Sequence, residues 1–395
     1  MSSLELLEPA HMQETAPRRG AIMLVSNQLW YLLTFRRVTI ERLLAAGFDI
    51  VCAGQGAGAT GEAAAAELRA LGCTVEPLHW RLETMNPVHE CAVVARLYTL
   101  LRQHRPLVVF AFTIKANLNA GLAARLARIP YVANVSGLGT AFLRRGPHFW
   151  LVQRLFGFAN AGAHTVFFQN NSDRQLFESM RLSTGRRTLV LPGSGVDVSH
   201  FEYAAPRPHI RTFALIARLI RDKGVIEYLE AARLLTHEHP DLRFILVGPC
   251  GVQNAGALSA DDIAPYRDCI DYRGELADVR PVLREADCVV LPSYREGMPK
   301  VILESASTGR ISLVSDAPGC RDAIVDGQTG FLFAPRSVDA LAHAMRRATR
   351  LTSEDIQTMS NRARQRAVED FHVDLSTTPY LNIAESFGAQ SANPP

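Results

Sequence analysis

The sequence predicts an α/β protein built from two doubly wound units, each a parallel sheet wrapped in helices, and three observations carry that prediction. Short apolar runs alternate with longer stretches of helical periodicity, the pattern of strands joined by crossover helices. The alternation restarts near residue 212, after LPGSGVDVSHFEYAAPRPHI (191–210), a stretch rich in Gly and Pro with no periodicity. The chain has 395 residues, 48% of them hydrophobic, which at roughly 150 residues per domain leaves room for two cores.

The first unit opens with a strand at AIMLVSN (21–27), a helix through TIERLLAAG that Gly47 ends, and a strand at DIVCAG (49–54). Helical AAAAELRALG and ECAVVARLYTLLRQH, strand PLVVFAF, helical NLNAGLAARLARI and strands YVANVSG and TVFFQN follow. The second unit begins with strand TFALIAR (212–218), helix VIEYLEAARLL and strands RFILVGP and IDYRGEL. It continues with helix VRPVLREA, strand CVVLPSY (288–294), helix PKVILESASTG, strand ISLVSD, helix CRDAIV and, as the final helix, SVDALAHAMRRATR. The expected boundaries are a disordered tail at 1–19, a first unit at 20–190, a linker at 191–210, a second unit at 211–388 and a disordered tail at 389–395. Ligands of such sheets bind beyond the carboxyl ends of the strands, so two units facing each other would share a cleft.

Composition excludes several classes. The 42 Lys+Arg nearly cancel the 39 Asp+Glu, which speaks against nucleic acid as a partner and against an acidic disordered chain. No apolar run approaches the roughly 20 residues of a membrane span, and residues 1–19 lack the basic start and apolar block of a signal peptide, so a cytoplasmic protein is expected. The seven cysteines are scattered and never spaced C-x-x-C, which points to buried thiols. There is no P-loop, no complete G-x-G-x-x-G after the first strand, no D-x-D and no H-E-x-x-H. No metal and no resident cofactor are therefore expected.

Two segments carry chemistry. In Y-R-E-G-M-P-K-V-I-L-E (294–304) a strand end turns through Gly297 into a helix framed by Pro299 and Gly309. The free N–H groups of Met298, Lys300 and Val301 at that helix start suit a diphosphate. Glu296 in the loop and Glu304 on the helix can then meet a sugar and a ribose diol. The plain alternative for Lys300 and Glu304 is an i,i+4 surface pair, worth a few tenths of a kcal/mol. In A-R-L-I-R-D-K-G (217–224), Arg218 and Lys223 can converge on one anion, although a solvated turn is as good a reading of that segment alone.

With these residues the chain resembles the family 4 glycosyltransferases, which have the GT-B fold of two Rossmann-like domains. The resemblance covers most of residues 20–388 and is strongest in 212–334, where Glu296 and Glu304 match an E-x7-E motif. It implies a retaining transferase that uses a nucleotide-activated sugar, usually a UDP-sugar, without an essential metal. By the same resemblance Arg218 and Lys223 hold the diphosphate, Glu304 the ribose and Glu296 the transferred sugar, while Arg273 and Gly274 line the base pocket. The first unit is similar to a subgroup that builds bacterial surface polysaccharides and lipid-linked oligosaccharides, through S-N-Q (26–28), T-I-K-A-N (113–117) and S-G-L-G-T (136–140). This makes Ser26, Asn27, Lys115 and Ser136 the acceptor-side candidates. Many family members place a histidine where this chain has Phe112, Thr113, Ile114 and Lys115, so Lys115 is the candidate to balance leaving-group charge or hold an acceptor phosphate. An epimerase or hydrolase on the same fold, or an inactive sugar-nucleotide-binding partner protein, are the rival readings.

Charge patterning suggests where the acceptor comes from. From Cys91 to Asn171 there are nine basic residues and no acidic one, and AFLRRGPHFWLVQRLFGF (141–158) interleaves Arg144, Arg145 and Arg154 with aromatic rings. Such a mixture can lie in a membrane interface. Peripheral attachment to the inner face of the membrane and a polyprenyl-diphosphate-linked or saccharide acceptor are expected.

Overall fold

The computed structural model describes residues 19–81, 86–137, 147–182, 187–252, 254 and 256–392. The first sheet contains β1 (Ala21–Gln28), β2 (Asp49–Gln55), β3 (Thr74–Leu78), β4 (Val108–Phe112), β5 (Tyr131–Val135), β6 (Thr165–Phe168) and β7 (Arg187–Val190). Its strands are all parallel, in the order β3-β2-β1-β4-β5-β6-β7. The second sheet contains β8 (Thr212–Ile216), β9 (Arg243–Val247), β10 (Asp271–Tyr272), β11 (Cys288–Leu291), β12 (Ile311–Ser315) and β13 (Gly330–Phe333). These are parallel too, in the order β10-β9-β8-β11-β12-β13. Helices cover both faces, so a central strand such as Val108–Phe112 is buried along its whole length. Two doubly wound α/β domains are the fold that the alternating pattern predicts.

The strand order reverses between β1 and β4 in one sheet and between β8 and β11 in the other. Crevices open at such switch points, beyond the carboxyl ends of the strands. The loops there are those after Gln28 and Phe112 in the first domain, and those carrying Arg218 and Glu296 in the second.

Several expectations are corrected. SVDALAHAMRRATR is not the final helix: Ser353–Glu369 follows, opened by a reciprocal capping box between Thr352 and Asp355, and then Val373–Ala392. Residues 389–392 therefore continue a helix instead of forming a tail; 1–18 and 393–395 lie outside the described residues. The last helix also does not stay with the second domain. It buries Tyr380 and Ala384 in the core of the first, with Leu24, Phe110 and Phe167. The chain thus crosses between the domains twice, and the crossings are stitched together: Val196 donates to the Phe371 carbonyl at 2.8 Å and Val373 to the Val196 carbonyl at 3.0 Å. Gly195, at φ +68°, is required there because a Cβ would stand 2.6 Å from the Val373 Cα. Past this crossing the segment expected as a linker packs on the second domain, where Ile210 joins the core.

Candidate functional site

The four switch-point loops face one another across a cleft with two adjoining cavities. The inner one, about 450 Å³, is walled by Asn27 and Ser136 of the first domain and by Arg218, Lys223, Glu296, Gly297, Met298, Lys300 and Val301 of the second. The outer one, about 480 Å³, is lined by Glu304, Asp278 and Val279, and shares Phe35, Ser194 and Lys300 with the inner. The structure brings the candidates of both second-domain segments together.

Local sequence explains each position. The chain leaves β8 through a tight turn at Arg221–Lys223 and Gly224, at φ +69°, so Lys223 reaches the Glu296 carboxylate in an ion pair. Glu296 is held from behind: its amide donates to the Pro318 carbonyl at 3.0 Å. Gly319, at φ +80°, lies so close to the Glu296 carbonyl that a Cβ there would overlap it. The helix begins at Lys300 and not at Pro299, which stands one place before it in extended conformation. The amides of Lys300 and Val301 thus precede the first intrahelical bond and are free to meet an anion in the inner cavity.

Lys300 and Glu304 do form the i,i+4 pair, at 3.5 Å, but not on the surface: Glu304 is 7% exposed, and burial pushes its carboxyl up while Lys300 holds it down. Lys300 also donates across the cleft to the Thr34 carbonyl at 3.2 Å and lies over the Phe35 ring.

Four candidates lie off the cavities. Ser26 is fully buried behind Asn27. Lys115 is turned away into an ion pair with Glu90 at 3.0 Å, with a bond to the Arg81 carbonyl at 3.0 Å. The Arg273 guanidinium is bound by Asp271 and Glu285, each at 2.6 Å. Gly274 accepts from the Gly248 amide at 2.7 Å. Of S-G-L-G-T, residues 138–140 lie outside the described residues.

Local reading of the chain missed the residues that join the domains at Glu296. Asn170 donates to the Gly297 carbonyl at 2.9 Å, and the buried Asp173 pairs with Arg295. Gly297 itself packs so tightly on the first domain that a Cβ would run into Ser136 and Gln169. The signal available was Q-N-N-S-D (169–173), a helix start in which Asn170 caps the Asp173 amide at 2.8 Å. Thr113 was missed as well: it lines the inner cavity at φ +78°, a strained conformation for a β-branched residue and a mark of functional loops.

Two doubly wound α/β domains that face each other across one cleft are the GT-B arrangement. Residues 34–193 match the family model described as glycosyl transferase 4-like domain, and residues 210–350 match glycosyl transferases group 1, together more than half of the chain. The chain belongs to this family of glycosyltransferases. It is 27% identical over 282 residues to the N,N'-diacetylbacillosaminyl-diphospho-undecaprenol alpha-1,3-N-acetylgalactosaminyltransferase of Campylobacter jejuni, covering 67% of this chain and 73% of that one. It is 25% identical over 291 residues to the UDP-Gal:alpha-D-GlcNAc-diphosphoundecaprenol alpha-1,3-galactosyltransferase of Escherichia coli, covering 70% and 74%. Among solved structures, a glycosyltransferase from Rickettsia africae superposes with a TM-score of 0.75 at 16% identity, over 93% of this chain and 98% of that one. Anabaena HepE in complex with UDP superposes with 0.72 at 19% identity, over 93% and 100%.

Proposed function

We propose that this glycosyltransferase moves a hexose or N-acetylhexosamine from a UDP-linked donor to a polyprenyl-diphosphate-linked saccharide, with retention of configuration and without a metal. The observation that carries the reading is the convergence of Arg218, the Lys223–Glu296 pair and the helix start at Lys300 on one cavity whose opposite wall is Asn27 and Ser136. The Campylobacter and Escherichia relatives, named for undecaprenol-diphosphate acceptors, support the acceptor class, and HepE, solved with UDP, supports the nucleotide. In this mechanism Arg218 and the amides of Lys300 and Val301 stabilise charge on the departing diphosphate, and such preorganised electrostatic stabilisation supplies most of the rate enhancement. Glu296, positioned by Lys223, orients the sugar, and Glu304 holds the ribose. The test is turnover of a UDP-sugar panel with a polyprenyl-diphosphate-linked acceptor in excess chelator, with the product anomer read by NMR. Full activity and a retained anomer are expected. Loss of activity in chelator overturns the metal-free step, an inverted product the stereochemistry, and donor consumption without acceptor the transfer itself.

The reading includes peripheral attachment to the cytoplasmic face of a membrane. No helix of the described residues is long and apolar enough to cross one. On the helix Pro147–Asn160, however, Trp150, Leu151 and Phe158 are 57%, 53% and 53% exposed, three large apolar side chains presented by one short helix. Arg154 lies over the Trp150 ring and Arg125 over Phe158, so cations border the apolar patch. Phe142, Arg144 and Arg145 lie outside the described residues. Each basic group near an anionic surface contributes about 1 kcal/mol, which makes attachment salt-sensitive. Wild type is expected to sediment with anionic liposomes at low salt, and a Trp150→Ala, Phe158→Ala, Arg154→Glu variant to stay in solution. Equal sedimentation of the two removes this surface from the reading.

A further inference from the structure

Arg36 occupies a place where the sequence pattern calls for an apolar residue. It lies on the inward stripe of the helix Leu29–Ala45, with Leu29, Leu32, Thr39, Ile40 and Leu43, and is 1% exposed. Its guanidinium rests 4.7 Å from the centroid of the Phe112 ring and 5.7 Å from that of Tyr380. Among the described residues none of its three nitrogens, Nε, Nη1 or Nη2, has a hydrogen-bond partner. Burial opposes its charge, while the phenols of Tyr380 and Tyr31 favour it, Tyr31 also through a side-chain contact looser than a well-formed hydrogen bond. A buried guanidinium without a well-formed hydrogen bond is a standing cost to the fold, and the rings and the Tyr31 phenol offset only part of it.

The surroundings indicate what the residue is kept for. Arg36 lines the inner cavity, and so does Thr113, whose Oγ1 is likewise buried without a hydrogen-bond partner among the described residues. The charged groups on that wall are Arg36, Arg218, Lys223 and Lys300 against Glu296. Lys223 is paired with Glu296 and Lys300 with Glu304. Among the described residues, two guanidiniums are left without a carboxylate, Arg218 on the second-domain wall and Arg36 on the first.

We infer that Arg36 is a phosphate-binding residue of the cleft, in which a substrate phosphate takes the bidentate guanidinium and the Thr113 hydroxyl from the first-domain side. The inference rests on the transferase reading above and deepens it, since it places a second anion subsite opposite Arg218. That phosphate belongs either to the acceptor's diphosphate or to the donor's.

Arg36→Met separates binding from packing, because a buried charge without an ionic partner costs the fold and an apolar side chain of similar length removes that cost. The variant is expected to melt no lower than wild type and to bind inorganic pyrophosphate at least about tenfold more weakly, the scale of a lost charge-assisted fork. Arg36→Lys, which keeps the charge without the fork, is expected to recover only part of that loss. If the KM of a diphosphate-linked acceptor rises while that of the phosphate-free glycoside does not, the phosphate is the acceptor's. If UDP affinity falls in step, it is the donor's. Unchanged pyrophosphate, UDP and acceptor binding in either folded variant, or a lower melting temperature with binding intact, overturns the inference and leaves Arg36 a strut for Tyr380. Should wild type bind no nucleotide, the donor reading fails by itself, and the pyrophosphate comparison still decides Arg36.

Discussion

Glu304 is a carboxylate whose ionisation the fold resists. Burial pushes it up, Lys300 at 3.5 Å holds it down, and burial prevails. If the ionised form accepts the ribose hydroxyls, donor affinity is fully present above the raised pKa and is lost as pH falls through it. An ordinary glutamate titrates near about 4.3, so the acid limb of donor binding should begin at higher pH than that. Glu304→Gln should weaken UDP binding at neutral pH by at least about tenfold, or roughly 1.4 kcal/mol, the range of a lost charge-assisted bond, and should flatten the acid limb. Calorimetric titration with UDP at a series of pH values measures both. An acid limb that persists in the variant would assign the titration to another group and remove Glu304 from the ribose site.

At the scale of single elements, what could be read from the sequence follows from how local the determinants are. The helix Lys300–Ser307 was legible because Pro299 and Gly309, the latter at φ +78°, mark both ends within ten residues. Buried strands such as Cys288–Leu291 were legible as apolar runs, and their alternation with helices located the switch-point loops, hence Arg218, Lys223 and Glu296. The last two helices were not. SEDIQTMSNRARQRAVE carries a sparse apolar stripe, and the Ser376, Thr377, Pro379 stretch reads as a breaker although it lies inside Val373–Ala392. What orders that helix is the core of the first domain, which no local pattern displays. The same limit applies to side chains. Lys115 and Arg273 follow the right strands, but Glu90 for one and Glu285 for the other decide where they point.

At the scale of the whole molecule, the two domains are joined at two kinds of place: the paired crossings at Val196 and Val373, and the contacts around the loop that carries Glu296. The second kind bears on catalysis. Arg295 pairs with Asp173, Asn170 holds the Gly297 carbonyl and Lys300 reaches the Thr34 carbonyl, so first-domain groups flank Glu296 on both sides. Asp173 is the deepest of them; burial pushes its carboxyl up and Arg295 holds it down. Losing one partner of a buried pair costs up to about 3–5 kcal/mol, while replacing both by apolar groups is often neutral. Asp173→Asn should therefore lower the melting temperature and, by releasing the loop next to Glu296, lower kcat about tenfold. UDP affinity, which the proposed function places on Glu304 and Arg218, should change by less than about twofold. An Asp173→Leu, Arg295→Met double variant should regain melting temperature but not kcat, because packing returns while the fixed position of Glu296 does not. Steady-state kinetics beside thermal melting separates the two effects. If the double variant recovers kcat together with stability, the pair only holds the fold, and the position of Glu296 is set by Lys223 and Gly319 within the second domain.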